Sequence, residues 1–151
     1  MLSHRRACHL LMLVPMLVMD AVYAEINDAR ARYHYQMFCQ GCHTPDGSGA
    51  NAVPALKDRM GFFLNSQRGR EFLVRVPGSA TSKLSSSALA EVLNWCLLNF
   101  AGTSVPSSGY VPYTEEEVDR LRQDPLQEII QHRASVIAEI AAQSPQGAQH
   151  E

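Results

Sequence analysis

The chain has 151 residues, 46% of them hydrophobic and 19% charged, and a formal net charge of −2. That length suits one domain and little more. The composition excludes a disordered or fibrous protein, and the charge excludes the basic footprint of a nucleic-acid binder.

The first segment reads as an address. His4, Arg5 and Arg6 form a basic start, an apolar run follows from Leu10 to Met19, and Val22-Tyr23-Ala24 supplies a cleavage site. This is the pattern of a secretory signal cut after Ala24, and the apolar run is too short to span a bilayer comfortably. Residues 1–24 are therefore expected to leave, and the rest to reside in the periplasm with no membrane span. Cleavage removes Arg5, Arg6 and Asp20 and leaves a net charge of −3. It also removes Cys8, so Cys39, Cys42 and Cys96 remain. An odd cysteine count in an oxidising compartment asks for an explanation.

The spacing predicts a helix over 27–39, capped by Asn27 or Asp28, with Ala29, Ala31, Tyr35 and Phe38 on a packed face. It runs into Cys39-Gln40-Gly41-Cys42-His43. Residues 44–51 are turn-rich, and Val53-Pro54-Ala55-Leu56 follows. A short helix is expected over 68–76, ended by Pro77-Gly78, and a serine-rich loop over 79–87. The clearest pattern is over 86–99, where Leu89, Val92, Leu93, Cys96, Leu97 and Phe100 form one apolar stripe. After a loop over 101–113, Thr114 and Glu117 form a capping-box pattern, and Tyr113 and Val118 a hydrophobic staple. Pro125 is expected to open a last helix to about residue 142, with Leu126, Ile130, Ala134, Ile137 and Ile140 on its apolar side. Residues 144–151 read as a frayed tail. No strand signal and no repeat is visible, so the expected class is all-α.

Cys39-x-x-Cys42-His43 carries the chemistry. Two thiols at this spacing reach neighbouring vinyl groups of a porphyrin, and the adjacent histidine falls under the iron; it is the attachment motif of haem c. A redox CxxC belongs in a βαβ setting, and a zinc site needs four ligands, commonly in two pairs. This chain reads all-helical and lacks a second pair, so both are weaker readings of the motif than haem.

With Pro54 eleven residues after His43 and Leu56 just beyond, residues 27–124 resemble the class I cytochrome c family. The resemblance implies a helical fold around one covalent haem c, comprising a cytochrome domain over 25–124 and an extra helical extension over 125–151. It also implies that the Pro54 carbonyl accepts a hydrogen bond from His43 Nδ1, fixing the ring and raising its basicity.

The family's distal methionine has no counterpart, since Met37 and Met60 are the only methionines beyond residue 24. Cys96, 53 residues after His43, is the leading candidate for the sixth ligand; its competing role is that of a small buried hydrophobe. Met60 and His132 are the alternatives, and His34 is expected at the surface. Trp95 is open between donating to a haem propionate and lying at a partly exposed edge. Arg68, Arg70 and Arg75 are open between propionate pairing and a solvated helix face. The expected function is electron transfer with a redox protein partner, not catalysis. Two further readings follow from His43/Cys96 ligation, which is found in small cytochromes that form dimers and bind nitric oxide or carbon monoxide, and in haem subunits of sulfur-oxidising enzymes. The C-terminal helix packs on its own domain or docks a second subunit.

Overall fold

The computed structural model describes residues 26–143. The expected export signal, Cys8 and the tail 144–151 lie outside the described residues. Among these residues the chain is all-α, without a strand.

Helix α1 (Asp28–Phe38) starts where Asn27 Oδ1 accepts the Arg30 N–H at 3.0 Å. Its buried residues are Ala31 and Tyr35 alone. Ala29 and Phe38, expected on the packed face, are exposed. Cys39 breaks the helix at φ −122, and α2 (Gln40–His43) follows as a single turn. A 3-10 turn spans Met60–Asn65, α3 Gln67–Arg75 and α4 Pro77–Ala80. Pro77 thus begins a short helix rather than only ending one, as suits a residue with a fixed φ and no N–H to satisfy.

Helix α5 (Ser86–Phe100) is the centre of the molecule. All six residues of its expected stripe are buried, and so are Glu91, Asn94 and Trp95. One side faces α1, the other α6 (Glu115–Leu121). On the α1 side the rings of Tyr35, Trp95 and Phe100 lie with centroids 5.0–5.4 Å apart. Arg30 grips Glu91 through two nitrogens at 2.7 and 2.8 Å, and the Asn27 N–H donates to the same carboxylate. On the α6 side Asn94 and the Tyr113 backbone exchange two hydrogen bonds of 2.8 and 2.9 Å.

The expected cap and staple of α6 are present: Thr114 Oγ1 accepts the Glu117 N–H at 3.2 Å, and Tyr113 and Val118 are buried. The Glu117 carboxylate does not close the box. It pairs with Arg70 instead, which also donates to the carbonyls of Val111 and Pro112 and lies over the Tyr113 ring.

The last helix, α7 (Ile129–Gln143), starts four residues after Pro125. Its buried residues are Val136 and Ile140, while Ile130 is 82% exposed. Of the expected apolar side, Leu126 and Ile140 are buried and Ile137 packs on the core, whereas Ile130 and Ala134 are exposed and Ile129 and Val136 face inward in their place. His132 on that inward side stacks on Phe72, Arg133 lies over Phe63, and Glu139 pairs with Arg68. These contacts join residues 129–143 to α3 and the 3-10 turn. No helix among the described residues is long and apolar enough to cross a membrane.

Candidate functional site

Cys39, Cys42 and His43 come together because Cys39 caps α1 and the next turn carries the other two: Cys42 N–H and His43 N–H both donate to the Cys39 carbonyl, at 3.1 and 3.0 Å. Cys42 is exposed, Cys39 and His43 are half-buried, and both thiols are free. Burial, and then the neighbouring Cys42, push the Cys39 thiol up to about 11. A disulfide-exchanging CxxC needs the opposite shift in its nucleophile.

The segment after His43 folds back beneath it. Thr44 takes φ 64, ψ 164. Its carbonyl accepts the Tyr35 phenol at 2.6 Å, and its hydroxyl donates to Asp46 Oδ1 at 2.8 Å and accepts the Ser48 N–H at 3.1 Å. Hydrogen bonds from Ser48 and Thr44 hold the Asp46 carboxyl down at about 2. The Gly49 N–H donates to the His43 carbonyl at 3.1 Å. Gly49 has φ +77, and a Cβ there would lie 2.5 Å from the Val53 oxygen and 2.9 Å from the Pro54 carbonyl carbon. Gly47 fits under the Phe100 ring, where a Cβ would come within 2.9 Å. Its carbonyl accepts both the Leu56 and the Lys57 N–H, at 2.8 and 3.0 Å.

The outcome is that His43 Nδ1 lies 3.2 Å from the Pro54 carbonyl oxygen. A carbonyl only accepts, so Nδ1 carries the proton and Nε2 holds the lone pair. Nε2 has no hydrogen-bond partner among the described residues. Partial burial lowers the His43 pKa, against the opposing pull of the Pro54 bond. A neutral imidazole with its second nitrogen oriented by a backbone carbonyl is the form in which histidine ligates metals.

The other expected residues lie elsewhere. Cys96 is 3% exposed on α5; burial, and then the nearby Cys39, hold its thiol well above its ordinary value. Met60 is 3% exposed in the core. His132 is committed to the stack on Phe72, centroids 6.1 Å apart. Trp95 is 6% exposed, which rules out the edge position, and its indole N–H donates to Asp28 at 2.7 Å. Arg68, Arg70 and Arg75 pair with Glu139, Glu117 and Asp124. They are neither a merely solvated face nor free cations, because each finds its carboxylate on a later segment. His34 is half-buried, with its Nδ1 buried and unpartnered.

Sequence reasoning passed over Tyr35 and Gly49 as parts of this site, and read Thr44-x-Asp46-x-Ser48 only as a turn. Side chains of that kind bond their own backbone two residues on, a signal present in the sequence. Among the described residues no group of three or more His, Cys, Asp or Glu side chains is placed to hold a metal ion. No family model, no curated protein and no solved structure matches the chain.

Proposed function

We propose that this protein is an exported, periplasmic monohaem c-type cytochrome of class I fold that passes electrons to or from a redox protein partner. Cys39 and Cys42 would bind the haem and His43 would ligate its iron. The observation that carries the reading is the His43–Pro54 pair at the end of the CxxCH turn, 3.2 Å apart, with Nε2 left as the free donor.

Three further facts support it. A haem iron takes four ligands from the porphyrin and one or two from the protein, so His43 would serve it without the cluster of protein ligands that zinc needs. Met37 and Phe38, directly before Cys39, are 60% and 45% exposed, so apolar side chains lie beside the motif, where they could contact a haem. Helix α1 leads into the motif and packs on the long α5.

Were haem bound, each thiol would add its S–H across one vinyl group, the sulfur to one carbon and the hydrogen to its neighbour, with nothing else consumed. When bound, haem c supplies an iron that cycles between Fe(III) and Fe(II). The chain holds the attachment turn against the α1–α5 core, fixes the His43 tautomer and raises the donor strength of the ring through Pro54.

The test is expression of the exported chain with a bacterial haem c maturation system. One haem per chain that survives denaturation and acid–acetone extraction is expected, and Cys39→Ala with Cys42→Ala should abolish it. A chain that yields all its haem to extraction, or takes none, overturns the reading.

Cys96 is the proposed sixth ligand, a thiolate that would stabilise Fe(III) and lower the potential. A specific observation favours a second reading: burial holds this thiol neutral, Met60 is packed in the core and His132 is stacked on Phe72. With none of them on the iron, the haem would keep an open position for nitric oxide or carbon monoxide. Low-temperature EPR of the ferric protein beside Cys96→Ala decides. A low-spin thiolate signal lost in the variant supports ligation; a high-spin signal in both, with carbon monoxide binding to the ferrous form, supports the gas site.

A further inference from the structure

Thr44 directly follows His43 and holds φ 64, ψ 164, a region that is almost exclusively glycine's. A β-branched residue there is a true outlier, and such a conformation persists only where its surroundings over-determine it. Here they do. The Thr44 N–H donates to the Gln40 carbonyl at 2.8 Å, and the His43 carbonyl is held by Gly49 at 3.1 Å. The Thr44 carbonyl accepts the Tyr35 phenol at 2.6 Å and, over a longer 3.4 Å, the Gly47 N–H from within the loop.

Of these restraints, only the phenol comes from the rigid part of the molecule. Tyr35 is 1% exposed, its ring in contact with Trp95 and Phe100. Its hydroxyl is the one polar atom the aromatic cluster extends to the attachment turn. A phenylalanine would pack the same space, so the hydroxyl is not explained by packing.

We propose that Tyr35 is a positioning residue for His43. Its phenol latches the strained Thr44 backbone. The latched turn brings the Gly49–Pro54 loop back under the imidazole, keeps the proton on Nδ1 and leaves Nε2 as the donor nitrogen. The inference rests on the reading of His43 as the iron ligand, but the latch itself is testable without haem.

The experiment is nitrogen NMR of the His43 ring in the haem-free full chain at pH 8, in the parent, Tyr35→Phe, and Tyr35→Phe with Thr44→Gly. The parent should be in the Nδ1–H form. Tyr35→Phe should retain the fold and lose about tenfold in the ratio of Nδ1–H to Nε2–H, the worth of about one net hydrogen bond. Glycine adopts the residue-44 conformation unaided, so the double variant should return to Nδ1–H. In the haem-loaded chain, Tyr35→Phe should raise the reduction potential, because the imidazole becomes a weaker donor.

An unchanged tautomer in Tyr35→Phe overturns the proposal. If that variant does not fold, the double variant decides: a folded double variant in the Nδ1–H form supports the latch, and one that is in the Nε2–H form or does not fold overturns it. A chain that takes no haem sinks the ligand reading and leaves the tautomer result standing.

Discussion

From Leu89 to Leu97 every residue is buried; from Cys39 to Arg59 only Gly47 is. The first stretch is held by apolar burial on two sides. The second is held by backbone hydrogen bonds, positive-φ residues and a few short polar side chains. The two meet at Phe100, whose ring covers Gly47 and touches Tyr35 and whose carbonyl accepts the Asp58 N–H at 2.8 Å. The difference separates stability from chemistry. The core can be strong without touching the site, and the site can be shaped at a loop whose loss the core survives.

Four changes would break or sharpen that contrast. The largest effect is expected in the core: Leu97→Ala, at a side chain 2% exposed, should cost about 2–5 kcal/mol, read as a fall in Tm. A loss below 1 kcal/mol would mean that α5 is not the centre of the fold. Gly49→Ala should cost about 1–3 kcal/mol, because a Cβ there meets the Val53 oxygen at 2.5 Å and the backbone is strained. Its signature should be local, with the His43 Nδ1 signal lost while helical circular dichroism is retained. If the helices melt with it, the loop is part of the core after all.

The pH response should be smaller. Arg30 and the Asn27 N–H hold the Glu91 carboxyl below its ordinary value, against the desolvation that raises it. A depressed carboxylate stabilises the fold above its unfolded pKa, near 4.3, and the contribution is lost as pH falls through the lower folded value. Stability should therefore decline below about pH 4.3, and Glu91→Gln should flatten the decline. Arg30 is 58% exposed, so solvent screens the pair and the effect is modest. An unaltered acid profile in the variant would show that the pair is not linked to folding. The smallest change is Ile130→Ser, at 82% exposure, expected within about 0.5 kcal/mol of the parent. A larger loss would restore the face of α7 that the apolar pattern suggests.

The same contrast separates what could be read in advance from what could not. The α5 stripe was legible because a 3.6-residue period of large apolar side chains has one stable use. The caps at Asn27 and Thr114 were legible because capping is decided within four residues. So was the place of Pro54, eleven residues after His43, whose carbonyl lies at His43 Nδ1. Trp95 and the three arginines were not legible, since Asp28, Glu139, Glu117 and Asp124 are 47 or more residues away from them along the chain. The inward side of α7 was only partly legible because isoleucines and alanines surround most of that helix, and pattern alone cannot choose between two apolar faces.

By itself the sequence determined the all-α class, the central amphipathic helix, and the Cys39-x-x-Cys42-His43 turn with its proline. These are properties of periodicity, capping and spacing, and they are encoded within a few turns of chain. Only the tertiary structure decided that Tyr35 reaches the Thr44 carbonyl, that Gly49 makes room for Pro54, and that Cys96 lies buried near Cys39. Those are meetings between segments, selected by which close contacts and carbonyls the folded core leaves available.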